Sequence, residues 1–155
     1  MTGRAEVDRL RQRLDETFKR VSGVKEPELS SDFARHLCVL VSGFLEQAVI
    51  ELLLEYVRVR SPEGIQRYVG QRLRRFTTAN ANNIIALFGS FDLDWQKDLE
   101  KYIVDEYKDA IDSVVNLRHT IAHGRFAGVT MTSVQSYYDR VKTVADHLAN
   151  LCLPK

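Results

Sequence analysis

Apolar side chains recur along this chain at three- and four-residue steps, the spacing of one helix face. Alternating runs flanking an Asn-Gly or Asp-Gly pair are absent, so no β-hairpin is expected. The first helix is predicted from Ala5 to Val21, with Val7, Leu10, Leu14 and Phe18 as a narrow stripe on a charged rod. Gly23 and Pro27 interrupt the pattern, and Ser30 or Ser31 can cap the next helix. That second helix is expected from Asp32 to Arg60, roughly 43 Å long at 1.5 Å per residue. One face carries Phe33, Leu37, Val41, Phe44, Leu45, Ala48, Leu52 and Tyr56; another carries Val39, Ile50, Leu53 and Val57. A helix apolar on more than one side is central in a bundle or shared with a second subunit.

Shorter helices follow. Ser61-Pro62-Glu63 reads as a capping serine with proline at the first helical position, ahead of Ile65, Tyr68, Val69 and Leu73. Thr77 or Thr78 is expected to start the next helix, which passes Ile84, Ile85, Leu87 and Phe88 and stops near Gly89. Asp92 or Asp94 caps a segment from Trp95 to Ile103, with Trp95 as a core anchor. A longer helix is predicted from Val104 to Ala122, ended by Gly124, because glycine adopts the left-handed cap conformation at little cost. A loop from Arg125 to Met131 leads to a capping box, Thr132 to Gln135, and a last helix along Val134, Tyr138, Val141, Val144, Leu148 and Leu151. The fold class is an all-α bundle, a single domain over residues 1–155. Residues 1–30 form an N-terminal helix and linker, and residues 31–153 the core bundle.

Composition narrows the function classes. The 155 residues are 45% hydrophobic and 28% charged, a mix that supports a buried core and argues against disorder. The net charge is +1, so a nucleic-acid partner must be held by a local patch. Cys38 and Cys152 lie in apolar runs without metal-type spacing, as buried thiols of a reducing cytosol. The charged segment Met1 to Arg20 is no signal peptide, and no stretch of about 18 uncharged apolar residues suggests a membrane span. A cytoplasmic location is expected.

The densest group of polar functional side chains is Asn116-Leu117-Arg118-His119-Thr120-Ile121-Ala122-His123. Arg118 is a permanent cation with a planar fork of donors suited to phosphate oxygens, and His123 can exchange a proton near neutral pH. A phosphate-directed cation beside a titrating base suits RNA 2′-hydroxyl chemistry. The plainer reading is a helix end whose cations meet the negative end of the macrodipole.

Arg118-His119-x-x-x-His123, with Gly124 behind it and a closing amphipathic helix, resembles the signature of the HEPN superfamily. Gly43-Phe44-Leu45-Glu46 on the long helix, and Asn82-Asn83-Ile84 followed by Phe91-Asp92, resemble its RiboL-PSP-HEPN branch. The likeness runs from Asp32 to Cys152. It implies a metal-independent endoribonuclease of host defence or a toxin–antitoxin pair, with no cofactor, acting as a homodimer on RNA, with an antitoxin or defence protein as a further partner. Arg118 and His123 would be the catalytic pair, and His119 the polar residue that orients substrate or Arg118. The implied reaction is attack of a ribose 2′-oxygen on the adjacent phosphorus, leaving a 2′,3′-cyclic phosphate. Some superfamily members bind RNA or a partner without cleaving, so a non-catalytic helical module is the alternative.

Other residues carry two readings each. Glu46 is either a solvated position or a partner that orients Arg118 or His123. Asn80, Asn82 and Asn83 either cap a helix or, for Asn82 or Asn83, line the cleft and bind RNA. Arg58, Arg60, Arg67, Arg72, Arg74 and Arg75 form a basic stretch interleaved with Tyr68 and Phe76. It is either a helix face paired with the acidic segment Asp92–Asp112 or a track for an RNA backbone. His119 and His123 have a zinc-compatible spacing, but Thr120 stands where a zincin has glutamate, and no third ligand is evident, so no metal site is expected.

Overall fold

Pro27 starts the long helix instead of breaking the chain. A computed structural model describes residues 3–125 and 128–154. Among them run seven helices: α1 (Gly3–Val21), α2 (Pro27–Arg58), α3 (Glu63–Leu73), α4 (Ala81–Phe91), α5 (Leu93–Tyr102), α6 (Asp105–Ala122) and α7 (Met131–Cys152). The predicted all-α architecture is the observed one. Proline is tolerated in the first turn of α2, where its missing N–H would have no intrahelical partner anyway, so no serine cap is needed.

The 32 residues of α2 span about 48 Å. This helix packs against α1, α3, α6 and α7, while α4 pairs with α5. Leu37, Cys38, Val41, Leu45, Ala48, Val49, Leu52 and Leu53 are all fully buried along it. Its most apolar window has mean hydropathy 2.0, long and apolar enough to cross a membrane by composition, where the sequence reading expected no such stretch. Here that apolar surface meets neighbouring helices. Leu53 and Val57, expected to be available to a second subunit, are buried within the chain, whereas Val39 and Ile50 stay half-buried. The N-terminal helix belongs to the same core, to which it contributes Val7, Leu14 and Phe18. Phe18 stacks on Tyr138 of α7 at 4.5 Å, and the Tyr138 hydroxyl donates to Asp15 at 2.6 Å.

Several helix ends differ from the sequence expectation. Asn80, not a threonine, caps α4, accepting from the Asn83 N–H at 2.8 Å. Gly89 lies inside α4 with the Gln96 side chain of α5 packed over it, so it does not end the helix as expected. Asp92 ends α4 and caps α5 through the Asp94 and Trp95 N–H groups. Trp95 packs beside Tyr56 and Phe88, as a core anchor. Ser61 caps nothing, since Pro62 takes the N-cap position of α3. Thr130, two residues before the expected capping box, caps α7 by accepting from the Ser133 N–H. Residues 126 and 127 of the predicted loop lie outside the described residues.

Burial pushes the Cys38 thiol up to about 11 and the Cys152 thiol up to about 12, from an ordinary value of 9. The raised values favour the neutral thiol in the fold, so this contribution to stability is present below pH 9 and is lost as pH rises through 11 and 12. At pH 8 a thiolate-directed reagent should modify the native protein at least about tenfold more slowly than the urea-unfolded chain. Equal rates in the two states would contradict this burial.

Candidate active site

The last turn of α6 closes as a Schellman motif. The Arg125 N–H donates to the Thr120 carbonyl at 3.1 Å and the Gly124 N–H to the Ile121 carbonyl at 3.0 Å. Gly124 takes φ +70, the left-handed value for which glycine was expected here. His123 is thereby set at the C-cap, exposed, at the negative end of the helix.

Its imidazole is oriented locally. His123 Nδ1 lies 2.8 Å from the His119 carbonyl oxygen. A carbonyl only accepts, so Nδ1 donates its proton here, and in the neutral imidazole Nε2 is the basic nitrogen. The rings of His119 and His123 sit 4.2 Å apart between centroids. Among the described residues no group of three His, Cys, Asp or Glu side chains comes together as a metal site.

Arg118 is tied to the centre of the bundle. Its Nη1 donates to Glu46 Oε2 on α2 at 3.0 Å, with the Glu46 side chain 15% exposed and that of Arg118 39% exposed. Of its five N–H groups this uses one, and the remaining donors have no acceptor among the described residues. Glu46 is thus an ion-pair partner of Arg118 and not a solvated position, and among the described residues it makes no hydrogen bond to His123.

Arg118 lines two depressions. One is an open groove of about 530 Å³ between α1 and α2, walled by Leu10, Leu14, Val39, Leu40 and Phe44 with Glu46 at its edge. The other is a polar notch of about 380 Å³ formed by Ser42 of α2, residues 77–80, and Asn116, Arg118 and His119 of α6. Asn82 and Asn83, expected to line the cleft, do not line this notch; Asn80 does. The Asn83 carboxamide instead donates to the Thr78 carbonyl at 2.9 Å and shapes the loop, while Asn82 faces solvent in the first turn of α4. Ser42 was not singled out from the sequence, Thr77 and Thr78 were read only as a helix start, and Asn116 only as the first residue of the polar run around Arg118. Ser42 lies four residues before Glu46, hence on the same helix face, a signal that periodicity could have supplied.

The basic stretch divides. No ion pair among the described residues joins it to the segment Asp92–Asp112. Arg58 instead pairs with Glu55 at 2.6 Å, and Arg60 lies over the Tyr56 ring at 4.2 Å. Arg72 donates to the Tyr68 hydroxyl at 3.0 Å, which occupies part of its fork. Arg67, Arg74 and Arg75 are exposed and make no side-chain hydrogen bond or ion pair among the described residues. Arg67 and Arg74 flank one depression on α3. Arg75 lines a groove with Thr77 and Thr78, the two threonines that also line the notch.

A family model described as RiboL-PSP-HEPN matches residues 7–153. No curated protein and no solved structure matches the chain. HEPN domains are all-helical modules associated with nuclease or other RNA-related roles, and the seven helices among the described residues agree with that fold. The chain belongs to the RiboL-PSP-HEPN family of the HEPN superfamily.

Proposed function

We propose that this protein is a metal-independent endoribonuclease, with Arg118 and His123 as its catalytic residues. The observation that carries the reading is that, five residues apart at the end of α6, the His123 ring is held through Nδ1 by a backbone carbonyl and the Arg118 guanidinium is held at one nitrogen and open at the others. His123 Nε2 takes the proton of a ribose 2′-hydroxyl, and the oxygen attacks the adjacent phosphorus. Arg118 offsets the extra negative charge of the phosphorane with its unoccupied donors. The 5′-oxygen leaves with a proton, so the products are a 2′,3′-cyclic phosphate and a 5′-hydroxyl. No metal need activate the nucleophile, because it belongs to the substrate. His119, in the notch with Arg118, hydrogen-bonds phosphate. Family membership supports a role in host defence or in a toxin–antitoxin pair.

Purified protein should cleave single-stranded RNA in excess chelator and leave cyclic phosphate ends. Binding without cleavage would favour a non-catalytic RNA module, and cleavage that chelator stops would overturn the metal-independent scheme.

The acid for the leaving oxygen is the partner subunit's His123, in a two-fold dimer. An isologous contact places the same residue on both sides of the axis, supplying base and acid from one sequence. The groove beside Arg118, with its half-buried Val39 and Leu40, is the surface we assign to that contact. Light scattering should give about twice the 17.8 kDa chain mass. Val39→Arg should yield a monomer with impaired cleavage, and wild-type specific activity should fall on dilution. A monomer with full specific activity would exclude the shared acid.

A further inference from the structure

We infer that the notch between Ser42, residues 77–80 and Asn116 is a nucleobase subsite, which reads an unpaired base next to the scissile phosphate. This deepens the ribonuclease reading and rests on it for the identity of the ligand. Its volume, about 380 Å³, falls in the range of small-molecule sites, about 300–1,000 Å³. Ser42 is 2% exposed, lines the notch, and makes no side-chain hydrogen bond among the described residues. Its hydroxyl is not sealed from solvent and has no protein partner among the described residues, so it is free to bond a ligand in the notch.

The surrounding groups are equally uncommitted. The side chains of Thr77, Thr78 and Asn116 make no hydrogen bond among the described residues. The Asn80 oxygen is taken by the Asn83 N–H, which leaves its NH₂ to donate. Asn116 offers a donor and an acceptor side by side, the complement of a base edge. The remaining wall is small and apolar, from Ala79, Val115 and Ala122, and the one ring among the lining residues is the His119 imidazole, which the proposed reaction commits to phosphate. Recognition is therefore by hydrogen bonds to the base edge, and that edge is free only in single-stranded RNA. Arg118 and His119 at the same notch place the phosphate beside the base. The shared threonines carry the strand onward to Arg75.

The test is an NMR titration of the intact protein with inorganic phosphate and with uridine 3′-monophosphate. Phosphate should perturb Arg118, His119 and His123 only. The nucleotide should also shift the Ser42 backbone amide and the Asn116 side-chain amide, and bind about tenfold more tightly than phosphate, the effect of one net base-edge contact. Asn116→Ala, at an exposed position on α6, should bring nucleotide affinity to the level of phosphate. Identical shifts and affinities for the two ligands, or nucleotide shifts away from Ser42 and Asn116, would overturn the subsite. Nucleotide binding in the notch by a protein that cleaves no RNA would support the subsite and remove the ribonuclease reading, so the two fail separately.

Discussion

Replacing His123 by alanine should lower RNA cleavage by about 100- to 10,000-fold, the usual contribution of a positioned general base, while melting stays within a few degrees of wild type. The imidazole is exposed at the helix C-cap, and among the described residues its one side-chain hydrogen bond is to the His119 carbonyl. The cap itself is made by backbone groups of His123, Gly124 and Arg125, which alanine retains. Truncation thus removes Nε2 without opening a cavity. Added imidazole should restore part of the lost rate, because a free base can occupy the vacated space. His119→Ala should cost less, since it leaves the carbonyl that orients His123. Cleavage by His123→Ala at wild-type rate would remove His123 as the base.

Arg118→Ala should lower turnover by about 100- to 1,000-fold, the cost of losing one preorganised donor group at a developing charge. Arg118→Lys should recover little of this, since lysine keeps the charge and loses the fork. Glu46→Gln tests positioning separately. Glutamine keeps the shape and removes the charge that holds Nη1 at 3.0 Å, so kcat should fall about tenfold with KM nearly unchanged. The ion pair itself contributes about 1 kcal/mol or less to stability, because the arginine is substantially solvated. A Glu46→Gln protein with wild-type kcat would show that the pair is only structural. Arg74→Glu combined with Arg75→Glu should behave differently. It should weaken RNA binding at every sequence and reduce the slope of log affinity against log salt by about 2, one for each lost phosphate contact. Equal effects of the two sets on binding and turnover would abolish the division between a catalytic fork and a backbone track.

What the sequence determined is local. Helical spacing of apolar residues sets the all-α class, and short-range chemistry sets the end of α6. Gly124 can take φ +70 cheaply wherever that helix lies, so the placement of His123 at a C-cap was legible from adjacent residues. The Arg118-His119-x-x-x-His123 pattern, and the family it marks, were legible in the same way. What only tertiary structure decided is which residues meet that pattern. Glu46 lies 72 residues before Arg118, and their contact depends on how α2 is rotated against α6. Periodicity leaves that rotation open, because α2 is apolar on several sides. The same ambiguity made Leu53 and Val57 look available to a partner until other helices covered them. The notch draws on α2, the loop before α4, and α6, three segments that no local rule brings together. The loop contributes through Asn80, which caps α4 and lines the notch, while Asn83 bonds back to Thr78 and does not line it. Local preferences act over one or two turns, whereas the site is set by packing angles between helices far apart in the chain.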